Sequence, residues 1–267
     1  MIRIIFLGQK TIGEKCFDYL VKQQDSRISV CAVVSNDSCQ TWWGDNRIFR
    51  LSRELSIPFI SNQKRQTRKI LEIIKKTNAN TLLSVQHPWI LEKPILSAVR
   101  FKALNFHNAK LPDYRGYNSI NHAILNKDKL YTTTVHWMNE KVDQGDIAYE
   151  KSIKISPDET AFSLYKKSQK ESFKLFKKVT ERLKKGLELP RVKMTVISNG
   201  RFYGRNSLNA LRQINVPDSD ELELKSRAFY FPPFEPAYVN KGRKKYYVLP
   251  GNYNNWINKE INLGSFL

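Results

Sequence analysis

Asn105 and His107 stand two residues apart in the run Ala103-Leu104-Asn105-Phe106-His107. The run starts apolar and leads into Pro112-Asp113 and Gly116, so it reads as a strand that empties into an ordered loop. Residues two apart on a strand share a face, which makes the amide and the imidazole project together while Phe106 points into packing. An amide N–H donates to an oxyanion, and an imidazole moves a proton near neutral pH or, when protonated, stabilises developing negative charge. That pair suits acyl transfer, although taken alone it fits a polar strand edge at least as well. A third group strengthens the chemical reading. Asp143, in Asp143-Gln144-Gly145-Asp146-Ile147, sets a carboxylate before a glycine turn, just after the strand-like run Thr132 to Met138, where it can orient the His107 ring.

In kind, order and spacing these residues resemble the formyltransferases that use 10-formyltetrahydrofolate, whose signature is Asn, His two residues on, then Asp in an Asp-x-Gly turn. The segment Leu111-Pro112-Asp113-Tyr114-Arg115-Gly116 is similar to that family's Leu-Pro-x-x-Arg-Gly stretch, and the likeness runs from Met1 to about Gly186. It implies Asn105, His107 and Asp143 as catalytic residues, 10-formyltetrahydrofolate as co-substrate, and no metal. It also implies that the loop after the strand Thr81 to Val85 holds the pterin head of the folate. Gln86, His87, Trp89 and Ile90 are then donor-site residues, acting mostly through main-chain groups. The bland alternative puts Trp89 in the core and leaves His87 merely exposed. Tyr114, Arg115 and Asn118 are expected to face the acceptor. His122, on a helix, and His136, alternating within a strand, read as structural, which leaves no metal set among the four histidines.

The elements that must position these groups alternate. Ile2 to Gly8, Ile28 to Val34, Pro58-Phe59-Ile60 and Thr81 to Val85 read as strands. Helical patterns start near Gln9-Lys10-Thr11-Ile12-Gly13, Asn46 and Arg65. The expected fold class is therefore α/β, a Rossmann-like, mainly parallel sheet with a small C-terminal β-rich appendage. The Gly8 to Gly13 spacing is no dinucleotide fingerprint and carries no nucleotide. Ser156-Pro157-Asp158-Glu159 has the form of a helix start, with a hydroxyl cap, Pro at the first position and Glu closing a capping box. Its amphipathic helix should run to about Lys185. From Leu187 the character changes to short aromatic and β-branched runs: Lys193 to Ile197, Arg201 to Gly204, Arg227 to Phe234 and Lys245 to Leu249. The expected division is 1–186, catalytic, and 187–267, β-rich, for substrate binding or oligomerisation.

Composition limits the rest. A chain of 267 residues holds a substantial core, its apolar runs are too short to span a membrane, and Met1 to Gly8 is too brief for a signal peptide. Cys16, Cys31 and Cys39 are odd in number and lack metal spacing, which fits a reducing, cytoplasmic compartment. The net charge of +20 invites a nucleic-acid partner, but Lys166, Lys167, Lys170, Lys174, Lys177, Lys178, Lys184 and Lys185 fall on one amphipathic helix, where a solvated face is the plainer reading. No specific nucleic acid and no membrane are expected.

Arg227-Ala228-Phe229 followed by Pro232-Pro233 is similar to the C-terminal pattern of the sugar N-formyltransferases. That likeness implies an acceptor amine on a nucleotide-linked amino-dideoxy sugar, with dTDP-4-amino-4,6-dideoxyglucose ahead of a 3-amino sugar. It further implies a formamido sugar of the O-antigen type and a homodimer. Arg201, Tyr203, Arg227, Phe229 and Tyr230 would then grip the nucleotide, rings under the base and cations on the diphosphate, with packing as the other reading. Methionyl-tRNA formyltransferase shares the signature, but the region after Gly186 is short for its RNA-binding barrel. Glycinamide ribonucleotide transformylase leaves the aromatic C-terminal region without a role. A catalytically silent binding module stands against the intact Asn105, His107 and Asp143.

Overall fold

The structure, a computed structural model, describes residues 1–38, 40–194, 201–215 and 218–251. Short runs rich in Val, Ile and Leu, separated by amphipathic stretches, make the alternation β1 (Ile2–Gly8), α1 (Lys10–Lys22), β2 (Ile28–Ser35), the small hairpin β3 (Gln40–Thr41) and β4 (Gly44–Asp45), α2 (Arg47–Glu54), β5 (Phe59–Ser61), α3 (Thr67–Thr77), β6 (Thr81–Val85), α4 (Lys93–Ala98) and β7 (Ala103–His107). The chain continues through β8 (Tyr114–Gly116), α5 (Ser119–Leu125), β9 (Leu130–Trp137), β10 (Ile147–Lys154), α6 (Ala161–Lys184), β11 (Arg201–Tyr203), β12 (Gln213–Ile214), α7 (Ser219–Phe229), β13 (Ala237–Lys241) and β14 (Lys244–Val248).

Seven strands form one sheet in the order β10-β9-β7-β6-β1-β2-β5. From β7 to β5 the pairings are parallel, whereas β9 runs antiparallel to β7. Strands covered on both faces lose the apolar-polar alternation, and all of Thr81–Val85 is buried accordingly. Along β1 the alternation persists as a division between two cores. Ile4 and Phe6 pack with Phe17 and Phe176, while Ile5 and Leu7 pack with Ile70, Leu82 and Ile95. This is the expected α/β class, a mainly parallel sheet with a small β-rich C-terminal piece. Among the described residues no helix is long and apolar enough to cross a membrane.

Two compact units share the chain. One comprises Met1–His107, Thr133–Lys151 and Lys170–Ser198; the other comprises Asn108–Thr132, Ser152–Gln169 and Asn199–Leu267. Spatial contact thus divides the chain by interleaving, not at one boundary, and a functional division at Gly186 remains a proposal. In the second unit Tyr114, Ile120, Tyr131, Leu164, Phe229 and Val239 belong to one core, beside the small sheet β12-β13-β14 and the pair β11-β8.

Three expectations about elements are corrected. Helix α6 begins at Ala161, after Ser156-Pro157-Asp158-Glu159, because a reciprocal cap forms further along: Thr160 Oγ1 accepts from Ser163 N at 3.1 Å, and Ser163 Oγ accepts from Thr160 N at 3.0 Å. Glu159 turns inward instead, 3% exposed, where Lys167, Ser163 and Ser156 surround it. Arg227 to Phe229 closes a helix and is no β-run. Asp218 caps its start by accepting from Glu221 N at 2.8 Å, and Asp220 and Glu221 occupy the first turn, all favourable to the helix dipole. Of Lys193 to Ile197, Lys193 and Met194 lie outside any strand, and the remainder lies outside the described residues.

Candidate active site

Strand register assembles the polar face. In the antiparallel pairing of β7 with β9, Asn105 lies opposite His136 and His107 opposite Thr134. Residues directly opposite share a face, so all four side chains project together. His136 is 2% exposed, with Nε2 at 3.1 Å from Asn105 Nδ2 and Nδ1 at 3.0 Å from the Trp137 carbonyl oxygen. A carbonyl only accepts, so Nδ1 carries the proton and Nε2 accepts from the Asn105 amide. The second N–H of that amide is then available to a reacting oxygen, on an orientation fixed by His136. His136 is therefore part of the site and not the purely structural residue that alternation in a strand suggested. Its only signal in sequence is the same-face spacing with Thr134.

Asp143 reaches the same cluster from the turn after β9. Its Oδ1 lies 3.7 Å from His107 Nδ1 and 3.5 Å from His136 Nε2, with the His107 and Asp143 side chains only 12% and 11% exposed. Gly145 explains how the turn comes this close. A Cβ on Gly145 would lie 1.6 Å from the Trp137 carbonyl oxygen, so only glycine passes the edge of β9. The turn is tied there by Trp137 N donating to Asp146 O at 2.8 Å and Asn139 Nδ2 donating to Gln144 O at 2.9 Å. Asp143 itself holds φ +51, in the left-handed region that asparagine and aspartate tolerate best after glycine.

The loop beyond β6 carries the residues expected to meet the folate. Gln86 has φ +60 and its Oε1 accepts from Lys10 Nζ at 3.1 Å. Trp89 Nε1 donates to Asn62 O at 2.6 Å, and Ile90 is 53% exposed. His87 is more enclosed than an exposed loop residue. Burial lowers its pKa to about 4, so the ring is neutral near pH 7, and its buried Nδ1 has no hydrogen-bond partner among the described residues. An unmatched polar atom next to exposed apolar surface fits a flat heterocycle with hydrogen-bonding edges.

Across residues 2–180 the sequence matches the formyl transferase family. The chain belongs to that family. Among curated relatives, a methionyl-tRNA formyltransferase of Agathobacter rectalis is 38% identical over 111 residues, which is 42% of this chain and 36% of the relative. The chain thus spans little more than a third of that relative's length. Among solved structures, a 4-N formyltransferase from Francisella tularensis superposes with a TM-score of 0.76 at 20% identity, covering 93% of this chain and 96% of the other. An N-formyltransferase from Helicobacter canadensis, solved with folinic acid and dTDP-3-aminofucose, gives 0.72 at 20% identity, covering 92% and 86%. At these identities the likeness concerns the fold.

The second unit of this family member holds the residues expected at the acceptor. Phe229 is 2% exposed and packed in the core, so it offers no face to a base, and its expected stacking role is corrected to packing. Arg227 pairs with Glu223 and donates from Nη1 to Glu159 O at 3.1 Å, which places the guanidinium in a structural bridge. Tyr203 stacks on His122 at 3.7 Å between ring centres and on Tyr114 at 5.7 Å, so its ring is engaged by protein rings. Tyr230 ends α7, its carbonyl accepting from Phe162 N at 3.0 Å. Asn118 precedes α5 and donates to Arg205 O at 3.1 Å. Arg115 sits on β8 opposite Phe202. Tyr114 donates to Asp128 and, with Arg201, Lys110, Lys129 and Tyr131, lines an open cavity of about 600 Å³. Aromatic and cationic residues that look alike in sequence thus divide into core and cavity.

Proposed function

We propose that this chain is a sugar N-formyltransferase, moving a formyl group from 10-formyltetrahydrofolate to the amine of a nucleotide-linked amino-dideoxy sugar. The observation that carries the reading is the Asn105–His107–Asp143 cluster with His136 behind it, on a fold matched over nearly its whole length by a 4-N formyltransferase. The donor supplies an already activated acyl group. Asn105 donates its second N–H to the formyl oxygen as negative charge develops there, and protonated His107 adds a second donor. Asp143 holds His107 and accepts the proton released by the attacking amine, directly or through water; the tetrahedral adduct then collapses with cleavage of the formyl carbon–N10 bond, and N10 takes up a proton as tetrahydrofolate leaves. Buried partners on both sides keep these groups in place before the substrates arrive, which lowers the reorganisation the reaction requires.

The curated relatives support a second reading, methionyl-tRNA formyltransferase. Against it, five of the helix lysines are engaged within the protein. Lys166 lies 4.6 Å over Phe162, Lys177 5.4 Å over Phe173 and Lys178 4.0 Å over Tyr149, while Lys174 pairs with Glu171 at 2.7 Å and Lys184 with Asp25 at 3.1 Å. Incubation with 10-formyltetrahydrofolate and a panel of amino-sugar nucleotides, with methionyl-tRNA in parallel, decides between the two by mass spectrometry of the formyl adduct. A formylated sugar nucleotide supports the first reading; formylated methionyl-tRNA alone overturns it. Within this reading the preferred acceptor is dTDP-4-amino-4,6-dideoxyglucose, the product is a formamido sugar of the O-antigen type, and the enzyme works in the cytoplasm as a homodimer, the last testable by light scattering.

A further inference from the structure

The acceptor anchor expected among Arg227, Phe229 and Tyr203 is taken up by packing, and the carboxyl end of β1 offers another. Lys10 opens α1 two residues after the end of β1 and is half-buried, and its Nζ donates to Gln86 Oε1 at 3.1 Å with the Trp42 ring centre 6.0 Å away. Among the described residues no carboxylate pairs with it. Burial lowers its pKa, as befits a cation whose solvation is replaced by no counter-charge. Lys10 and Gln86 both hold left-handed backbone, φ +63 and +60, a conformation that costs non-glycine residues energy and clusters at functional sites.

The register sets the distance from the chemistry. Val85 of β6 lies opposite Gly8 of β1 on one side and Phe106 of β7 on the other. Two strand spacings separate Gly8 from Phe106, about 10 Å. Lys10 follows one of these positions by two residues, and His107 follows the other by one as the last residue of β7, so both stand at the carboxyl ends of parallel strands, where open α/β sheets take ligands. A nucleotide-linked amino sugar carries its diphosphate one sugar ring away from its amine, a separation this spacing accommodates. Trp42 is 36% exposed, and its neighbour Trp43 meets it edge-on at 5.5 Å while its own Nε1 donates to Glu14 Oε1 at 3.2 Å. The hairpin β3–β4 thereby holds an indole next to the ammonium.

We propose that Lys10, held by Gln86 and flanked by Trp42, binds the diphosphate of the acceptor and positions its amine at Asn105 and His107. This rests on the sugar-nucleotide reading above. The test uses the full chain and two readouts. Calorimetry with dTDP alone, and separately with folinic acid alone, measures binding without turnover; steady-state kinetics measures both Michaelis constants. For Lys10→Met the expected result is dTDP affinity lower by about tenfold or more, the loss of one charge-assisted contact. The sugar-nucleotide KM should rise by a similar factor, with a smaller change in kcat, unchanged folinic acid affinity and partial rescue in Lys10→Arg. Unaltered dTDP affinity in Lys10→Met overturns the proposal, as does a loss confined to folinic acid, which assigns Lys10 to the donor. Failure of the underlying reading looks different: the wild-type protein itself then neither binds dTDP nor formylates any sugar nucleotide.

Discussion

Gly145→Ala tests whether the placement of Asp143 controls turnover. The added methyl would begin 1.6 Å from the Trp137 carbonyl oxygen and 2.7 Å from the Trp137 carbonyl carbon, both backbone atoms at the end of β9 that have no rotamer to change. Reaching ordinary contact at 3.4 Å requires the turn to retreat by about 1.8 Å. That retreat breaks the 2.8 Å bond from Trp137 N to Asp146 O, about 1 kcal/mol, and carries Asp143 away from the 3.5 Å and 3.7 Å spacings to His136 and His107. A misplacement of roughly 1 Å at a catalytic group costs on the order of 100-fold in rate, about 2.7 kcal/mol of transition-state stabilisation. The expected result is kcat lower by about 100-fold, both KM values changed by less than about threefold, and a Tm lower by roughly 2–4 °C per kcal/mol lost. Gly204→Ala is the control, since a Cβ there meets nothing within 4 Å. Rates come from single-substrate titrations with mass-spectrometric detection of the formylated product, alongside circular dichroism for the fold. A folded Gly145→Ala variant with near-native kcat would refute the reasoning.

His107→Asn should lower turnover by at least about 100-fold with the fold intact, and His136→Gln by about 10-fold or more, through misorientation of Asn105; wild-type rates in either purified variant remove that residue from the mechanism. Phe229→Ala should act on stability, by about 3–5 kcal/mol in urea unfolding, because the ring is core; a raised sugar-nucleotide KM without loss of stability would restore it to the acceptor site. Acid should destabilise the protein through His122, which is 5% exposed with its pKa lowered to about 4 by burial and then by Arg201. The folded ring stays neutral down to about pH 4 while the unfolded chain protonates near 6.5. Its contribution is therefore complete above pH 6.5 and is lost as pH falls from 6.5 towards 4, on the order of 3 kcal/mol. Urea unfolding at pH 7 and pH 4.5 should show that loss, reduced in His122→Gln; equal stability at both pH values contradicts it.

Local rules made the first layer of this protein legible. Asn105 and His107 share a face because strand side chains repeat every two residues, and Asp143 before Gly145 announces a turn that places a carboxylate near that face. The alternation of strands and helices follows from the same short-range periodicities, and its parallel sheet from the length of the crossovers. Competing local signals misled where two caps stood close together. Ser156 to Glu159 satisfies the capping pattern, yet Thr160 and Ser163 close the helix start, and the buried Glu159 pairs with the half-exposed Lys167 instead. Other decisions lay beyond any local rule. His136 joins Asn105 across 31 positions of sequence through a strand register set by the whole sheet. Phe229 and Trp42 are both large rings near cations, but one is sealed in a core and the other is partly exposed beside Lys10, and only tertiary packing distributes rings in that way. The sequence by itself determined the chemistry on offer and the secondary structure that carries it. Which of those groups meet was decided by the tertiary structure, because burial and strand register are properties of the assembled chain and not of its neighbouring residues.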